Sequence, residues 1–343
     1  EEPGTVIADK QEDVDRAVSG AALTKNEARI SIIDVPDVPG TMQTLFANLA
    51  AAQVAVDMIV QNVAVGGKAE ISFTVLEDDL TTALLAVTET ACDWEGAQVS
   101  HDANVSKVSI VGLGMATQSG VADRMFRALA DADINIQAIT TSQIKVSALV
   151  EREHALEALR EVHREFELEK PPGQRASFGG EKQSSGHGNP VDIVARLQRM
   201  EDLAIDAVEL DATQARITMT EVPDRPGISA EVFEAIAAEE ILVDMIFQST
   251  GHNGKANLSF TVPQADVHKA LQVAEKMGAK LGCEQVSHDP EIAILSVLGI
   301  GIRTHTGVGL RMFRSLFEAG INVDMINTSE MRVNVVVDLE EGE

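Results

Sequence analysis

The stretch Val35-Pro36-Asp37-Val38-Pro39-Gly40 occurs twice in this chain, and its second copy, Val222-Pro223-Asp224-Arg225-Pro226-Gly227, begins 187 positions later. Further segments return at the same offset, and the register does not slip from Ala28 to Val150. A fixed offset over such a length is the signature of a duplicated segment. The chain therefore consists of two similar halves that share the lengths of their loops.

A weaker repeat lies inside each half, where matching positions are 80 residues apart. The matches are a glycine that opens a helix and the apolar residues that follow it: Gly40, Phe46, Leu49, Val56 and Ile59 align with Gly120, Phe126, Leu129, Ile136 and Ile139, and Gly227, Phe233, Val243 and Ile246 align with Gly307, Phe313, Val323 and Ile326. The sequence therefore predicts four copies of one small unit.

The first unit is an alternation of strands and helices. Ile30 and Ile32 alternate with other residues, as in a half-buried strand, and the proline and glycine turn at 36–40 ends that strand. A helical pattern follows from Met42 to Ala50, and then come two strands around the Gly66-Gly67 hairpin, a second helix and a closing strand. This order, βαββαβ, predicts an α+β fold of four ferredoxin-like units, whose antiparallel sheets carry helices on one face.

The second unit of each half has no clear fourth strand, but a segment that precedes the first unit can supply it. We therefore expect the first unit of each half to be inserted into the second. A stretch rich in Gly, Ser and Gln joins the halves as a flexible linker. The predicted domains are 28–103 (first, inserted), 17–27 plus 104–169 (second), 213–290 (third, inserted) and 191–212 plus 291–343 (fourth, with an incomplete last helix), and the linker covers 170–190.

Composition narrows the class of function. Apolar residues make up 45% of the 343 positions, and the formal net charge of −27 disfavours nucleic acid and anionic membranes as partners, because phosphates need Lys and Arg. No apolar run has the length of a membrane span, and no signal peptide is recognisable. With only Cys92 and Cys283, and with histidines that lack ligand spacing, we expect a reduced, cytoplasmic protein without a metal site.

Several longer strings resemble one known family. These are the Val-Pro-Asp-x-Pro-Gly turn, Val-Asp-Met-Ile-x-Gln-Asn at 56–62, the stretch Lys107 to Met115, and the stretch Ile134 to Ser147. Together they resemble the regulatory region of aspartate kinase, which carries ACT domains. Most members carry one pair of these domains, whereas two tandem pairs, as here, resemble the arrangement in cyanobacterial enzymes.

The resemblance implies a function for the chain. The parent activity would be ATP-dependent phosphorylation of L-aspartate, with ATP and Mg bound in a kinase domain that these residues do not contain. The chain itself is expected to be non-catalytic and to need no cofactor. Its implied partners are the effectors L-lysine and L-threonine, the aspartate kinase catalytic domain, and a second copy in a homodimer, and its implied role is feedback inhibition.

The chemistry of the turn suits a free amino acid, which presents a carboxylate and an ammonium group. The N-terminus of the helix at Gly40-Thr41-Met42 carries a partial positive charge for the carboxylate. Asp37 on the same turn can bind the ammonium group or a lysine side chain, and the amides of Gln61 and Asn62 can both donate and accept. The predicted effector-binding residues of the first half are Asp37, Gly40, Thr41, Met42, Val56, Asp57, Gln61 and Asn62.

The same set recurs in the second half as Asp224, Gly227, Ile228, Ser229, Val243, Asp244, Gln248 and Ser249. The family resemblance adds contacts from a facing ACT domain, which we expect to be the second unit of the same half: Asn135 and Ile136 in the first pair, and Asn322 and Val323 in the second pair. Because Ser249 replaces Asn62, the two sites need not prefer the same ligand.

Two other functions are alternatives to the regulatory region of an aspartate kinase. The first is a structural dimerisation platform without ligands, in which the Pro-Gly turns are plain turn chemistry. The second is the regulatory ACT region of another amino-acid biosynthetic enzyme, such as a homoserine dehydrogenase fusion. A dinucleotide site at Gly112-Leu113-Gly114 is disfavoured, because Thr117 occupies the place of the third glycine. No catalytic residues are predicted.

Overall fold

The computed structural model of the chain describes residues 17–65, 67–112, 115, 120–142, 144–170, 204–248, 254–300, 307–328 and 332–342. The elements of the first half are β1 (Gly20–Pro36), α1 (Thr41–Ala51), β2 (Val56–Val65), β3 (Lys68–Leu76), α2 (Leu80–Ala91), β4 (Gln98–Val111), α3 (Val121–Asp131), β5 (Ala138–Ser142), β6 (Lys145–Glu151) and α4 (Ala155–Glu165).

The second half repeats this order, except that the counterparts of the long strands β1 and β4 are each divided into two strands. Its elements are β7 (Ala204–Asp211), β8 (Gln214–Pro223), α5 (Ile228–Ala237), β9 (Ile246–Gln248), β10 (Lys255–Pro263), α6 (Val267–Leu281), β11 (Gln285–Asp289), β12 (Ile292–Ile300), α7 (Gly307–Glu318), β13 (Met325–Thr328), β14 (Arg332–Asp338) and α8 (Leu339–Gly342). None of the helices in the described parts of the chain is long and apolar enough to cross a bilayer.

The predicted fold class is confirmed. All strand pairs in the described parts of the chain are antiparallel, and one face of the strands in each unit packs its apolar residues under the helices. In β3, for example, Ile71 and Phe73 join the core under α1 and α2, whereas Ser72 lies on the opposite face. This follows from the period of two, which sends successive side chains to opposite faces of a sheet.

The long strands β1 and β4 run through both units of the first half. The C-terminal part of β1 pairs with β3 from Glu27 to Pro36, while its N-terminal part, Gly20–Thr24, pairs with residues 107–111 of β4. The register of the β1–β4 pair is irregular between Thr24 and Arg29, where the chain passes from one unit to the other. The domain boundaries stay a prediction, and most of the predicted linker lies outside the described residues.

The units associate side by side across the two halves. The order of the strands is β11-β8-β10-β9-β5-β6-β4-β1-β3-β2-β13-β14-β12-β7. Thus β2 of the first unit pairs with β13 of the fourth, and β5 of the second unit pairs with β9 of the third. The predicted pairing within each half is therefore wrong.

The units pair in this way because of which strands lie at the free edges of the sheet in each half. In the first half, the shared strands β1 and β4 join the two units at one edge, which leaves β2 and β5 as the free edges. A free edge exposes backbone groups that need a partner. Those partners come from the other half, as β13 and β9.

The sheet faces that carry no helices pack on each other. One apolar cluster there combines Val60 of β2, Phe247 of β9 and Met325 of β13. Each unit also buries one pair of polar side chains on this face, Ser31–Ser72 (2.8 Å), Ser109–Ser147 (2.9 Å), Thr218–Ser259 (3.1 Å) and Ser296–Asn334 (2.7 Å). Because each pair is hydrogen-bonded, its burial costs little.

Candidate functional site

The turn between β1 and α1 is held in one conformation. Gly40 has φ 97°, a left-handed conformation that a side chain disfavours, and helix α1 begins at the next residue. The backbone N–H of Asp37 donates to the carbonyl oxygen of Gly67 (3.1 Å), and the Thr41 hydroxyl donates to the carbonyl oxygen of Pro36 (2.9 Å). The carboxylate of Asp37 is therefore presented beside the N-terminus of α1.

The fourth unit completes this turn from the other half of the chain. The side-chain amide of Asn322 donates to the carboxylate of Asp37 at 2.8 Å. The amide nitrogen of Gln61, on β2, donates to the backbone carbonyl of Val323 at 2.7 Å. We call this arrangement, formed by Asp37, Met42, Gln61, Asn322 and Val323, the Asp37 site.

The third unit repeats the arrangement with the second unit as its partner. Asn135 donates to Asp224 at 2.8 Å, and Gln248 donates to the backbone carbonyl of Ile136 at 2.7 Å. Gly227 again precedes the helix with a positive φ, of 89°. We call the arrangement formed by Asp224, Ser229, Gln248, Asn135 and Ile136 the Asp224 site.

The predicted side chains thus meet, but in exchanged pairs. Asn322 and Val323 contact the Asp37 site, whereas the resemblance assigned them to the site of their own half, and Asn135 and Ile136 contact the Asp224 site. The exchange follows from the sheet edges, since the free edge of β2 meets β13 and that of β5 meets β9.

Other predicted residues lie differently from the set around Asp37. The carboxylate of Asp57 accepts a bond from Lys107 of the second unit, on the side where the helix-free faces meet. The backbone carbonyl of Asp244 accepts a bond from the hydroxyl of Thr141, so this backbone group is already used. Val56 and Val243 are partly buried beside the cores. Ser249 and the side chain of Asn62 lie outside the described residues.

The Asp37 carboxyl is partly buried, and this burial raises its pKa above the usual range. The hydrogen bond from Asn322 and the charge of Arg216 act in the opposite direction, while the charge of Asp324 adds to the increase. Because burial makes the charged form costly, a cation that replaces the lost water would be bound favourably by this carboxylate.

A narrow cleft, with room for about one water molecule, lies at the Asp224 site. It lies between the turn and the sheet, and its polar lining comes from Asp224, Arg225, Ser229 and Gln248. Pro223, Ile228 and Leu258 contribute apolar surface. The carboxylate, the hydroxyl group and the amide around this cleft supply the charge and the hydrogen bonds that recognise the polar groups of a zwitterion.

A buried ion cluster that the sequence motifs did not predict lies between the first two units. The ammonium group of Lys107, whose side chain is 2% exposed, donates to Glu27 at 2.5 Å and also to Asp57. Burial lowers the pKa of Lys107, but the charges of Asp57 and Glu27 outweigh it, so that its pKa is raised. The sequence contains one sign of this cluster. The position of the second half that is equivalent to Lys107 carries the apolar residue Ile294, so a charged residue replaces an apolar one in the first half.

Two groups in the described parts of the chain have ligand atoms close enough for a shared cation. One is Glu151 with Glu153 and His154, and the other is the carboxylate cluster of Asp289, Asp324 and Asp338. Arg216 already donates to two of its members, Asp289 at 2.9 Å and Asp324 at 2.8 Å. The guanidinium group therefore supplies positive charge there, and the cluster is an ion-pair network that links the third and fourth units.

A family model for the ACT domain matches residues 30–90, 108–166, 220–277 and 295–343. The fold and these four matches agree, and the chain belongs to the ACT domain family. The predicted four copies are thereby confirmed. Each match begins on the first strand of a unit, and together the matches cover most of the residues of both sites.

The relatives that match the chain are aspartate kinases. An aspartate kinase of Stutzerimonas stutzeri is 43% identical over 178 residues, which are 51% of this chain and 43% of the relative. An aspartokinase of Pseudomonas aeruginosa is 44% identical over 177 residues, with the same shares. The crystal structure of an aspartate kinase from Synechocystis matches 96% of this chain and 54% of its own, with a TM-score of 0.83 and 29% identity.

The chain is therefore similar to the ACT regions of aspartate kinases, as the sequence motifs predicted. The matches span about half the length, or less, of these relatives.

Proposed function

We propose that this chain is the regulatory region of an aspartate kinase and binds free amino acids at the Asp37 and Asp224 sites. The proposed ligands are L-lysine and L-threonine, and the proposed consequence is feedback inhibition of L-aspartate phosphorylation by a kinase domain, the partner that would bind ATP and Mg. The cytoplasm is the proposed location. The observation that carries the proposal is that each turn places a carboxylate beside a helix N-terminus at a junction of two units.

The chemistry of the two sites supports an amino acid as the ligand. A helix N-terminus, at Thr41 or Ile228, favours the carboxylate of the ligand. The carboxylate of Asp37 or Asp224 favours its ammonium group or a cationic side chain. Because each site takes residues from both halves, a bound ligand would contact two units at once.

A ligand at such an interface can act on an attached domain. It stabilises the arrangement of units that binds it best, and its effect equals its differential affinity, typically about 1–3 kcal/mol per site. Each site is completed within one chain, so a second chain is not needed to form it. A homodimer is proposed as the assembled state, through surfaces other than these two sites.

Isothermal titration calorimetry of the chain with L-lysine and with L-threonine tests the proposal. We expect saturable binding, and we expect the double substitution Asp37→Ala with Asp224→Ala to abolish it. Asp93→Ala, which removes an exposed carboxylate, is the matched control and should leave binding unchanged. If neither amino acid gives heat or a thermal shift with the unmodified chain, the proposal is wrong.

A second candidate is a structural platform without ligands. It is favoured by the direct bonds between Asn322 and Asp37 and between Asn135 and Asp224, which close both turns without any ligand. The same titration separates the two functions. A platform would show no response to either amino acid, and Asp37→Ala would weaken only the association of the units.

A further inference from the structure

Two largely buried arginines lie at equivalent positions of the two halves, 187 residues apart. Arg29 lies on β1 and Arg216 on β8, and their side chains are 12% and 8% exposed. Strand β1 leads into the turn that carries Asp37, and β8 leads into the turn that carries Asp224. Each arginine therefore belongs to the strand that presents the carboxylate of one amino-acid site.

Arg216 holds a loop of the fourth unit. Its guanidinium group donates to the carboxylate of Asp324 at 2.8 Å. Asp324 directly follows Asn322 and Val323, the two residues of the fourth unit that close the Asp37 site. The backbone N–H of Asp324 also donates to a carbonyl oxygen of β14 at 2.9 Å. The loop that closes the Asp37 site is thus fixed by its own sheet and by an arginine of the third unit.

Arg29 holds the equivalent loop of the second unit. Its guanidinium group donates to the side-chain oxygen of Gln137 at 2.9 Å. Gln137 directly follows Asn135 and Ile136, which close the Asp224 site. The backbone N–H of Gln137 donates to a carbonyl oxygen of β6 at 2.8 Å. The arrangement of the second half is therefore repeated, with an arginine of the first unit.

The two contacts cross between the sites. The strand that presents Asp224 holds the closing loop of the Asp37 site through Arg216, and the strand that presents Asp37 holds the closing loop of the Asp224 site through Arg29. The charges agree with this placement. Burial raises the pKa of Asp37, and the charge of Arg216 acts against this increase. Burial lowers the pKa of Arg29, and neighbouring carboxylates, among them that of Asp224, act against this decrease.

The two contacts differ in strength. Arg216 bonds to a carboxylate, that of Asp324, whereas Arg29 bonds to the neutral amide of Gln137. The attraction between opposite charges adds to the first bond and not to the second, and it is stronger in a partly buried place than in water. The closing loop of the Asp37 site is therefore held more firmly.

We propose that Arg29 and Arg216 are positioning residues for the amino-acid sites, each acting on the site whose carboxylate lies on the strand of the other arginine. Arg216 positions the loop that closes the Asp37 site, and Arg29 positions the loop that closes the Asp224 site. The affinity of each site then depends on a unit that contributes no residue to that site. This rests on the proposed function, that both sites bind amino acids.

Hydrogen exchange of the ligand-free chain gives the first test. Arg216→Met should speed amide exchange in peptides covering 319–328 at least about threefold and leave 132–140 unchanged, and Arg29→Met should do the reverse. Arg160→Met, which changes an exposed arginine on α4, is the control and should alter neither. Unchanged exchange at 319–328 in folded Arg216→Met would overturn the proposal. If the unmodified chain binds neither L-lysine nor L-threonine, the proposed function fails, whereas this ligand-free test still decides the role of the arginines.

Calorimetry of single-site variants gives the second test, with L-lysine and L-threonine as the probes. In Asp224→Ala, which keeps the Asp37 carboxylate, Arg216→Met should weaken binding about fivefold or more. In Asp37→Ala, Arg29→Met should weaken binding by a smaller factor, since its bond is to a neutral group. Arg160→Met should leave both affinities unchanged. If each arginine instead affects only the site on its own strand, or if neither has an effect, the proposal is overturned.

Breaking the same bond from the loop side separates positioning from a general loss of stability. Asp324→Ala leaves Arg216 bonded to Asp289 at 2.9 Å, and it serves as the test where Arg216→Met does not fold. Asp324→Ala should weaken binding at the Asp37 site about as much as Arg216→Met, and the double variant should lose no more, because one bond is broken in all three. Asp324→Gln, which copies Gln137, should restore part of the affinity. Additive losses in the double variant, or an unchanged affinity in Asp324→Ala, would overturn the assignment.

Discussion

Removal of the Lys107 ammonium group should destabilise the chain strongly. Lys107 lies between the carboxylates of Glu27 and Asp57, and both Lys107 and Glu27 are 2% exposed, while Asp57 is 20% exposed. Lys107→Met leaves two acidic groups close together with no cation between them. Removing one partner of a buried ion pair typically costs about 3–5 kcal/mol, so we expect a loss in this range in the free energy of unfolding.

The second half of the chain provides the matched variant. There the equivalents of Glu27 and Lys107 are Gln214 and Ile294. Glu27→Gln with Lys107→Ile copies that solution and removes one negative charge along with the cation. Because replacing a buried ion pair as a whole is often nearly neutral, we expect this double variant to recover most of the stability that Lys107→Met loses.

Urea denaturation at neutral pH, followed by far-UV circular dichroism, measures these effects. Lys25→Met, on the same strand as Glu27 but exposed, is the control and should change the free energy of unfolding by no more than about 0.5 kcal/mol. If Lys107→Met loses less than about 1 kcal/mol relative to this control, the cluster does not hold the units as we describe.

Three further predictions concern pH and the turns. Burial raises the pKa of Asp37. In an Asp224→Ala variant, the affinity for L-lysine should therefore fall as the pH falls through that raised pKa, because the carboxylate becomes neutral. A constant affinity from pH 7 to about 4 would contradict this. The pKa of Lys107 is raised, so the stability that its ammonium group contributes should be complete at neutral pH. It should be lost only as the pH rises through that raised pKa, and urea denaturation at alkaline pH can detect this loss. Gly40→Ala should lower the melting temperature more than Gly227→Ala. Both glycines have positive φ, but only at position 40 would the added Cβ lie 2.8 Å from an aromatic ring, that of Phe317, and equal shifts in calorimetry would refute this reason.

Much of the fold followed from local patterns. The alternation of Ile30 and Ile32 and the spacing of Leu45, Phe46 and Leu49 predicted a strand and a helix, and all five residues are buried in one core. The 187-residue offset predicted two halves with equal loops. These features depend on periodicity and on turn chemistry, which the sequence shows directly.

The association of the units could not be read in the same way. The residues of β2 and β13 show that each strand has an apolar face, but not which edge lies next to which. That choice depends on β1 and β4, which join the first two units and leave β2 and β5 free. The predicted partners Asn135 and Asn322 were therefore real contact residues assigned to the wrong sites.

The buried ion cluster shows a second limit. Asp57 was predicted as part of the effector site because it follows Val56 in a family motif, but its side chain lies on the opposite face and bonds to Lys107. The period of two in a strand allowed this outcome. Only the contact between helix-free faces, which no local pattern reveals, decided where the carboxylate of Asp57 points.

Hydrogen exchange measured by mass spectrometry tests the central claim, that each amino-acid site is assembled from both halves. In the Asp224→Ala variant with saturating L-lysine and L-threonine, only the Asp37 site should be occupied. Amide exchange should then slow in peptides covering 35–45 and 319–328, while peptides covering 132–140 stay unchanged. Slower exchange at 132–140 together with 35–45, and no change at 319–328, would show that the site is built within one half and would contradict the account.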